Sequence, residues 1–167
     1  MAIKINTEKR IFTLETKHTM YQMQADTYGV LRHLWYGAKT GCDMSYLQDY
    51  PDVGFSGNPH DAGNDRTYSL DTLPLEYAGA GIGDFRVPAV EAVHADGSCA
   101  LDLRYYSHAV KQGKYAIAGL PALYAGEDEA ETLEVVLRDT ASAVEVTLKY
   151  GVLPELDVVT SCEEIRN

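Results

Sequence analysis

Cationic charge is scarce in this chain: 14 Lys and Arg stand against 25 Asp and Glu, a formal net charge of -11 over 167 residues. Nucleic acids and anionic bilayers are bound by lysine and arginine that displace counterions or meet the negative surface. An acidic protein of this kind is therefore not expected to bind nucleic acid or to engage a membrane. Long hydrophobic runs are missing as well. No window approaches the roughly eighteen apolar residues of a membrane span, and the opening MAIKINTEKRIF lacks the apolar centre of a secretory signal, so a cytoplasmic location is expected. Cysteine is limited to Cys42, Cys99 and Cys162. They are odd in number, far apart and in no CxxC pair, which gives neither a disulfide framework nor a zinc site, and free thiols are expected.

Familiar motifs of chemistry are absent too. There is no nucleophile elbow, phosphate loop, HExxH, EF-hand loop or dinucleotide fingerprint. The run GAGIG at 79–83 neither follows a strand nor opens a helix, so its glycines read as backbone turns. His18, His33, His60, His94 and His108 form no i, i+4 ligand pattern. No metal and no cofactor are expected, and no catalytic residue is assigned.

What the sequence does contain is strand signal. TLEVVLRD places Leu133, Val135 and Leu137 on one face, and AVEVTLKYGV places Val144, Val146, Leu148, Tyr150 and Val152 on one face with Glu145, Thr147 and Lys149 opposite. The turn chemistry of 138–142 between them predicts an antiparallel hairpin. RIFTLET, TMYQMQAD and GVLRHLWYG are short, rich in aromatic and β-branched residues, and read as further strands. Ala89–Val93, Ala100–Tyr106 and Val158–Ile165 add three, with Asp96-Gly97 as a hairpin signal between the first two. A short helical turn is expected at Ser45–Asp49. Seven or eight antiparallel strands without alternating helices predict an all-β fold, an antiparallel β-sandwich or open barrel, in a single domain spanning 1–167.

The polar middle, about 39–86, is too long for an ordinary connection. Tyr46, Tyr50, Phe55, Tyr68, Leu70, Leu73, Tyr77 and Phe85 give it apolar anchors, so it reads as an ordered loop excursion and not as disorder. Asp65-Arg66 and Asp84-Arg86 stand out within it, with Asp52 just before Gly54-Phe55. A guanidinium fork against a carboxylate suits either the holding of sugar hydroxyls or the pinning of one loop to another, and spacing favours pinning. Trp35 and Tyr36 fall on opposite faces of their strand, so at most one serves any given surface; Trp35 is a candidate for stacking on a sugar ring, against ordinary core packing.

DRTYSLDTLPLEY (65–77), GDFRVPA (83–89), DLRYYSHAVKQGK (102–114), GLPALY (119–124) and ETLEVVLRD (131–139), together with HLWYG and the closing DVVTSCEEIRN, resemble the N-terminal domain of glycoside hydrolase family 36 α-galactosidases, in order and over nearly the whole chain. The resemblance implies part of a β-supersandwich, similar to that of galactose mutarotase, which precedes a (β/α)8 barrel. That barrel supplies the two catalytic aspartates for removing terminal α-linked galactose from oligosaccharides such as melibiose and raffinose. It is absent from this chain, which by itself is not expected to be an enzyme. The resemblance further implies a homo-oligomer, a tetramer in the full enzyme, in which this domain lies against the catalytic barrel of its own and of a neighbouring subunit. By position, Asp52 falls where the family places an aspartate that hydrogen-bonds the galactoside across that interface, and Arg66 where it places an arginine near the same site. Ala78 replaces a usual proline, and Ser161-Cys162 replaces a typical Arg-Ser. Two other classes fit the strand pattern: a free-standing carbohydrate-binding module and a purely structural oligomerisation domain. A small sugar epimerase is a poor fit at this length.

Overall fold

The alternation in the sequence decides which side of each strand is dry. In β6 (Glu131–Asp139) and β7 (Glu145–Leu153), Leu133, Val135, Leu137, Val146, Leu148, Tyr150 and Val152 are all buried. They face a common core, as expected. The two strands pair antiparallel with Leu133 opposite Tyr150 and Leu137 opposite Val146, and Asp139 closes the turn by accepting from the backbone N–H groups of Ala141 and Ser142 at 3.2 and 2.6 Å.

The computed structural model describes residues 1–48 and 58–167. Among them, β1 (Ile3–Asn6), β2 (Ile11–Glu15), β3 (Thr19–Ala25) and β4 (Leu31–Ala38) form one antiparallel sheet in that order, and β5 (Leu103–Gln112), β6, β7 and β8 (Val158–Arg166) form a second. The all-β sandwich read from the sequence is the observed architecture. Ile3, Phe12, Leu14, Met23 and Leu31 of the first sheet meet Leu103 and the inner residues of β6 and β7 in a single core. Each large side chain so buried contributes about 2 kcal/mol. Exposed ion pairs such as Lys9–Asp43 contribute well under about 1 kcal/mol, so apolar burial, not surface charge, holds the sheets together.

Several boundaries differ from the expectation. Ala89–Val93 is not a strand: Val90 forms an isolated parallel bridge to Gly79, and Val93 is exposed. Asp96-Gly97 does turn, with the Gly97 N–H donating to His94 O at 2.9 Å, but no strand precedes it. β5 begins later and runs to Gln112, with a bulge between Tyr105 and Ser107. The short helical turn appears as a 3₁₀ turn at Ser45–Gln48.

The connection from β4 to β5 is the excursion. Part of it builds a second core of Ala62, Tyr68, Leu70 and Leu73 with Val30, flanked by Tyr28, Leu75 and Ile82. Of the expected anchors, Tyr68, Leu70 and Leu73 are buried while Tyr46 and Phe85 are exposed; Tyr50 and Phe55 lie outside the described residues. The segment at 40–48 covers the opposite face of the first sheet, where Ile11, Met20, Leu34 and Met44 cluster beside Trp35. Trp35 thus packs, and its indole N–H donates to Ala38 O at 3.3 Å. Tyr36, on the other face, is the exposed member of the pair.

Candidate functional site

Asp26 fixes the base of the excursion. It directly follows β3 and is almost wholly buried, and one carboxylate oxygen accepts from the N–H groups of Tyr28 and Val30, both at 2.9 Å. Its other oxygen accepts from the Tyr68 hydroxyl and lies 3.5 Å from Arg32 Nε. Burial, then the bond to Asp26, push the Tyr68 phenol well above its ordinary pKa, so it stays protonated and donating. The carboxylate therefore ties a β3–β4 turn to a residue forty-two positions later in sequence.

Arg66 sits two residues before that anchor, exposed, on the turn that follows the 3₁₀ segment His60–Ala62. The turn is closed by Asp65, whose Oδ1 accepts from the Thr67 N–H at 3.0 Å and the Thr67 hydroxyl at 2.6 Å, and whose carbonyl accepts from Asn58. Asp65 is thus occupied locally and is held below its ordinary pKa by Thr67. It makes a turn. Asp52 lies outside the described residues.

Asp84 and Arg86 do form the internal pin read from the sequence. Arg86 Nε donates to Asp84 Oδ1 at 2.8 Å, and its Nη2 reaches Asp84 Oδ2 at 2.9 Å and the carbonyls of Leu70 and Leu73 at 2.8 and 2.7 Å. One guanidinium so closes the far side of the loop that begins at Arg66. Arg104 on β5 closes a third side. It donates to Tyr28 O at 3.0 Å, grips Asp102 with two nitrogens, and comes within 3.3 Å of Asp61. The excursion is thereby a braced platform. Arg66 is an exposed residue at its rim, and a guanidinium is a planar set of donors suited to hydroxyls or carboxylates.

A second polar cluster carries no signal in the sequence because its members come from four distant segments. Glu76 Oε1 accepts from the hydroxyls of Tyr21 and Tyr150 at 2.5 and 2.7 Å, and Oε2 lies 3.2 Å from His33 Nδ1. The carboxylate is nearly buried. It joins both sheets to the excursion, and a cleft opens above it between β4 and β8. Only the alternation that puts Tyr150 on the inner face of its strand hinted at any part of this.

The profile of the Glycosyl hydrolase family 36 N-terminal domain matches residues 29–167. The chain is 53% identical over its full length to the bifunctional alpha-galactosidase/sucrose kinase AgaSK of Mediterraneibacter gnavus, of which it covers 18%. It is 39% identical to alpha-galactosidase AgaA of Geobacillus stearothermophilus, of which it covers 23%. The solved galactosidase domain of AgaSK superposes with a TM-score of 0.96 at 52% identity, over 99% of this chain and 23% of that one. A variant of G. stearothermophilus AgaA solved in complex with raffinose superposes at 0.87 with 38% identity, over 94% of this chain and 22% of that one. The chain thus spans about a fifth of the relatives it matches. Its two four-stranded sheets are those of the solved α-galactosidases, and it belongs to the glycosyl hydrolase family 36 N-terminal domain family.

Proposed function

We propose that this chain is the non-catalytic N-terminal domain of a cytoplasmic α-galactosidase acting on oligosaccharides such as melibiose and raffinose. In it, the excursion carries Asp52 and Arg66 to the active site of a neighbouring subunit. The observation that carries the reading is full-length similarity to the first part of α-galactosidases, one of them solved with raffinose bound. Two further features support it. The platform around Arg66 is cross-braced by Asp26, Arg86 and Arg104, which is the rigidity a positioning group needs if it is to act on a substrate held elsewhere. The segment between β5 and β6 also exposes Ile117, Leu120, Leu123 and Tyr124 together, Tyr124 at 89%. Such an apolar surface suits burial against another part of an assembly.

In this reading Asp52 accepts hydrogen bonds from adjacent galactose hydroxyls and Arg66 orients it or donates to the sugar itself. The test is steady-state kinetics of Asp52→Ala in the full enzyme, with light scattering to follow assembly. KM for raffinose should rise at least roughly tenfold, the loss of a charge-assisted hydrogen bond, with the oligomer intact. Unchanged constants would reduce the domain to a structural role in assembly.

A further inference from the structure

We propose that the cleft between β4 and β8 binds an organic cation, a guanidinium or alkylammonium group, against tyrosine faces and two carboxylates. The cleft measures about 290 Å³ and is lined by Tyr21, Tyr36, Tyr77 and Tyr150, with Glu76 at its base and Glu163 on its rim. Its position follows from the topology. Among the described residues β4 and β8 are the outer strands of their sheets, and the register that sets Tyr21 opposite Tyr36 and Tyr150 opposite Ser161 turns these residues toward one another across the sandwich. Tyr21 lies 5.6 Å from Tyr36 and 6.0 Å from Tyr150, centroid to centroid, in tilted pairs. They wall a space and do not fill it.

The polar inventory selects the guest. Tyr21 and Tyr150 both donate their protons to Glu76, so neither has one left for a ligand. Among the described residues, the ion-pair partner of Glu76 is His33, and Glu163 makes no ion pair. The Tyr77 hydroxyl is buried without a hydrogen-bond partner, so it can accept from a ligand as well as donate to one. The lining holds two carboxylates and no lysine or arginine, so its hydroxyls can meet a neutral ligand but its charge favours a cation. Aromatic faces present their negative quadrupole to a cation. Burial, with Glu76 beside Tyr21 and Tyr150 and Glu163 beside Tyr77, raises the pKa of all three phenols, so their rings stay neutral at ordinary pH. The volume lies at the lower end of small-molecule sites, enough for a compact cationic head.

The same head group is carried by free small molecules and by the arginine or lysine of a polypeptide segment, and titration separates them. Methylguanidinium chloride, a short blocked arginine peptide and galactose would each be titrated into the protein at low ionic strength and followed by amide NMR shifts. Methylguanidinium should saturate the resonances of Tyr36 and Glu163. Glu163→Gln, an exposed change that spares the Glu76 cluster, should weaken binding at least roughly tenfold. Glu155→Gln, elsewhere on the surface, should not. Peptide affinity well above that of methylguanidinium identifies a polypeptide as the source, and equal affinity identifies a small molecule. Absence of saturation, indifference to Glu163→Gln, or displacement by galactose would overturn the proposal.

Discussion

Replacing Asp26 by alanine removes the support on which the excursion rests. The carboxylate is 4% exposed, accepts from two backbone N–H groups and the Tyr68 hydroxyl, and lies 3.5 Å from Arg32, which is itself 13% exposed. Without it, a buried phenol and two N–H groups lose their acceptor, and the Arg32 guanidinium loses its counter-charge. Removal of one partner of a buried pair costs roughly 3–5 kcal/mol, and the phenol alone accounts for about 1–2 kcal/mol of that. For a domain of this size the loss corresponds to roughly 6–20 °C in Tm. Tyr68→Phe should therefore lose only about 1–2 kcal/mol, and the double variant should be no worse than Asp26→Ala alone, because the two changes remove the same contact. Urea unfolding followed by circular dichroism measures all three. A loss under about 1.5 kcal/mol for Asp26→Ala, or strict additivity with Tyr68→Phe, would show that Asp26 does not organise this region.

Acid should weaken the fold in a defined window. The bond from Lys9 brings Asp43 down to about 2 from 3.8, and Arg86 lowers Asp84 in the same direction. Folded pKa values below the unfolded ones mean that the unfolded chain takes up protons first; this stabilisation is complete above about pH 5 and is lost as pH falls from about 4 toward 2. Thermal midpoints that hold or rise across that interval would contradict the assignment. At Gly79 an added methyl would sit 2.1 Å from the Leu101 carbonyl oxygen, so Gly79→Ala should cost roughly 2–3 kcal/mol by overpacking. An unchanged urea midpoint would refute that close approach.

The strands that sequence reading located well are those with one dry face. β6, β7 and β3 alternate because their inner residues are buried and their outer ones are not, and alternation is the quantity that periodicity measures. β5 is harder to read because its residues past Tyr106 are largely exposed and its bulge breaks the alternation. β1 escaped notice: it is four residues long and is held by pairing with β2 and by the Glu131 carboxylate, which accepts from the N–H groups of Ala2 and Ile3. No local pattern reports a contact with a residue so distant in sequence. The excursion shows the same limit. Its aromatic anchors identify it as ordered, yet whether Phe85 or Tyr68 is the buried one depends on Asp26, which lies in another element. The Asp84–Arg86 pin was legible because both partners lie within two residues of one another. The Glu76 cluster was not, since its members meet only once both sheets and the loop are in place.

Each sheet is built entirely from neighbouring strands, β1 to β4 and then β5 to β8, and the excursion is the single long bridge between them. The free energy of closing such a bridge grows only with the logarithm of its length, roughly 0.6 kcal/mol per doubling. Residues can therefore be inserted into or deleted from its outer turns at small thermodynamic cost, provided that the Asp26, Arg86 and Arg104 braces remain. The scaffold and the surface it displays can then change independently, and a diversified turn at 63–67, all exposed, would leave both sheets to fold as before.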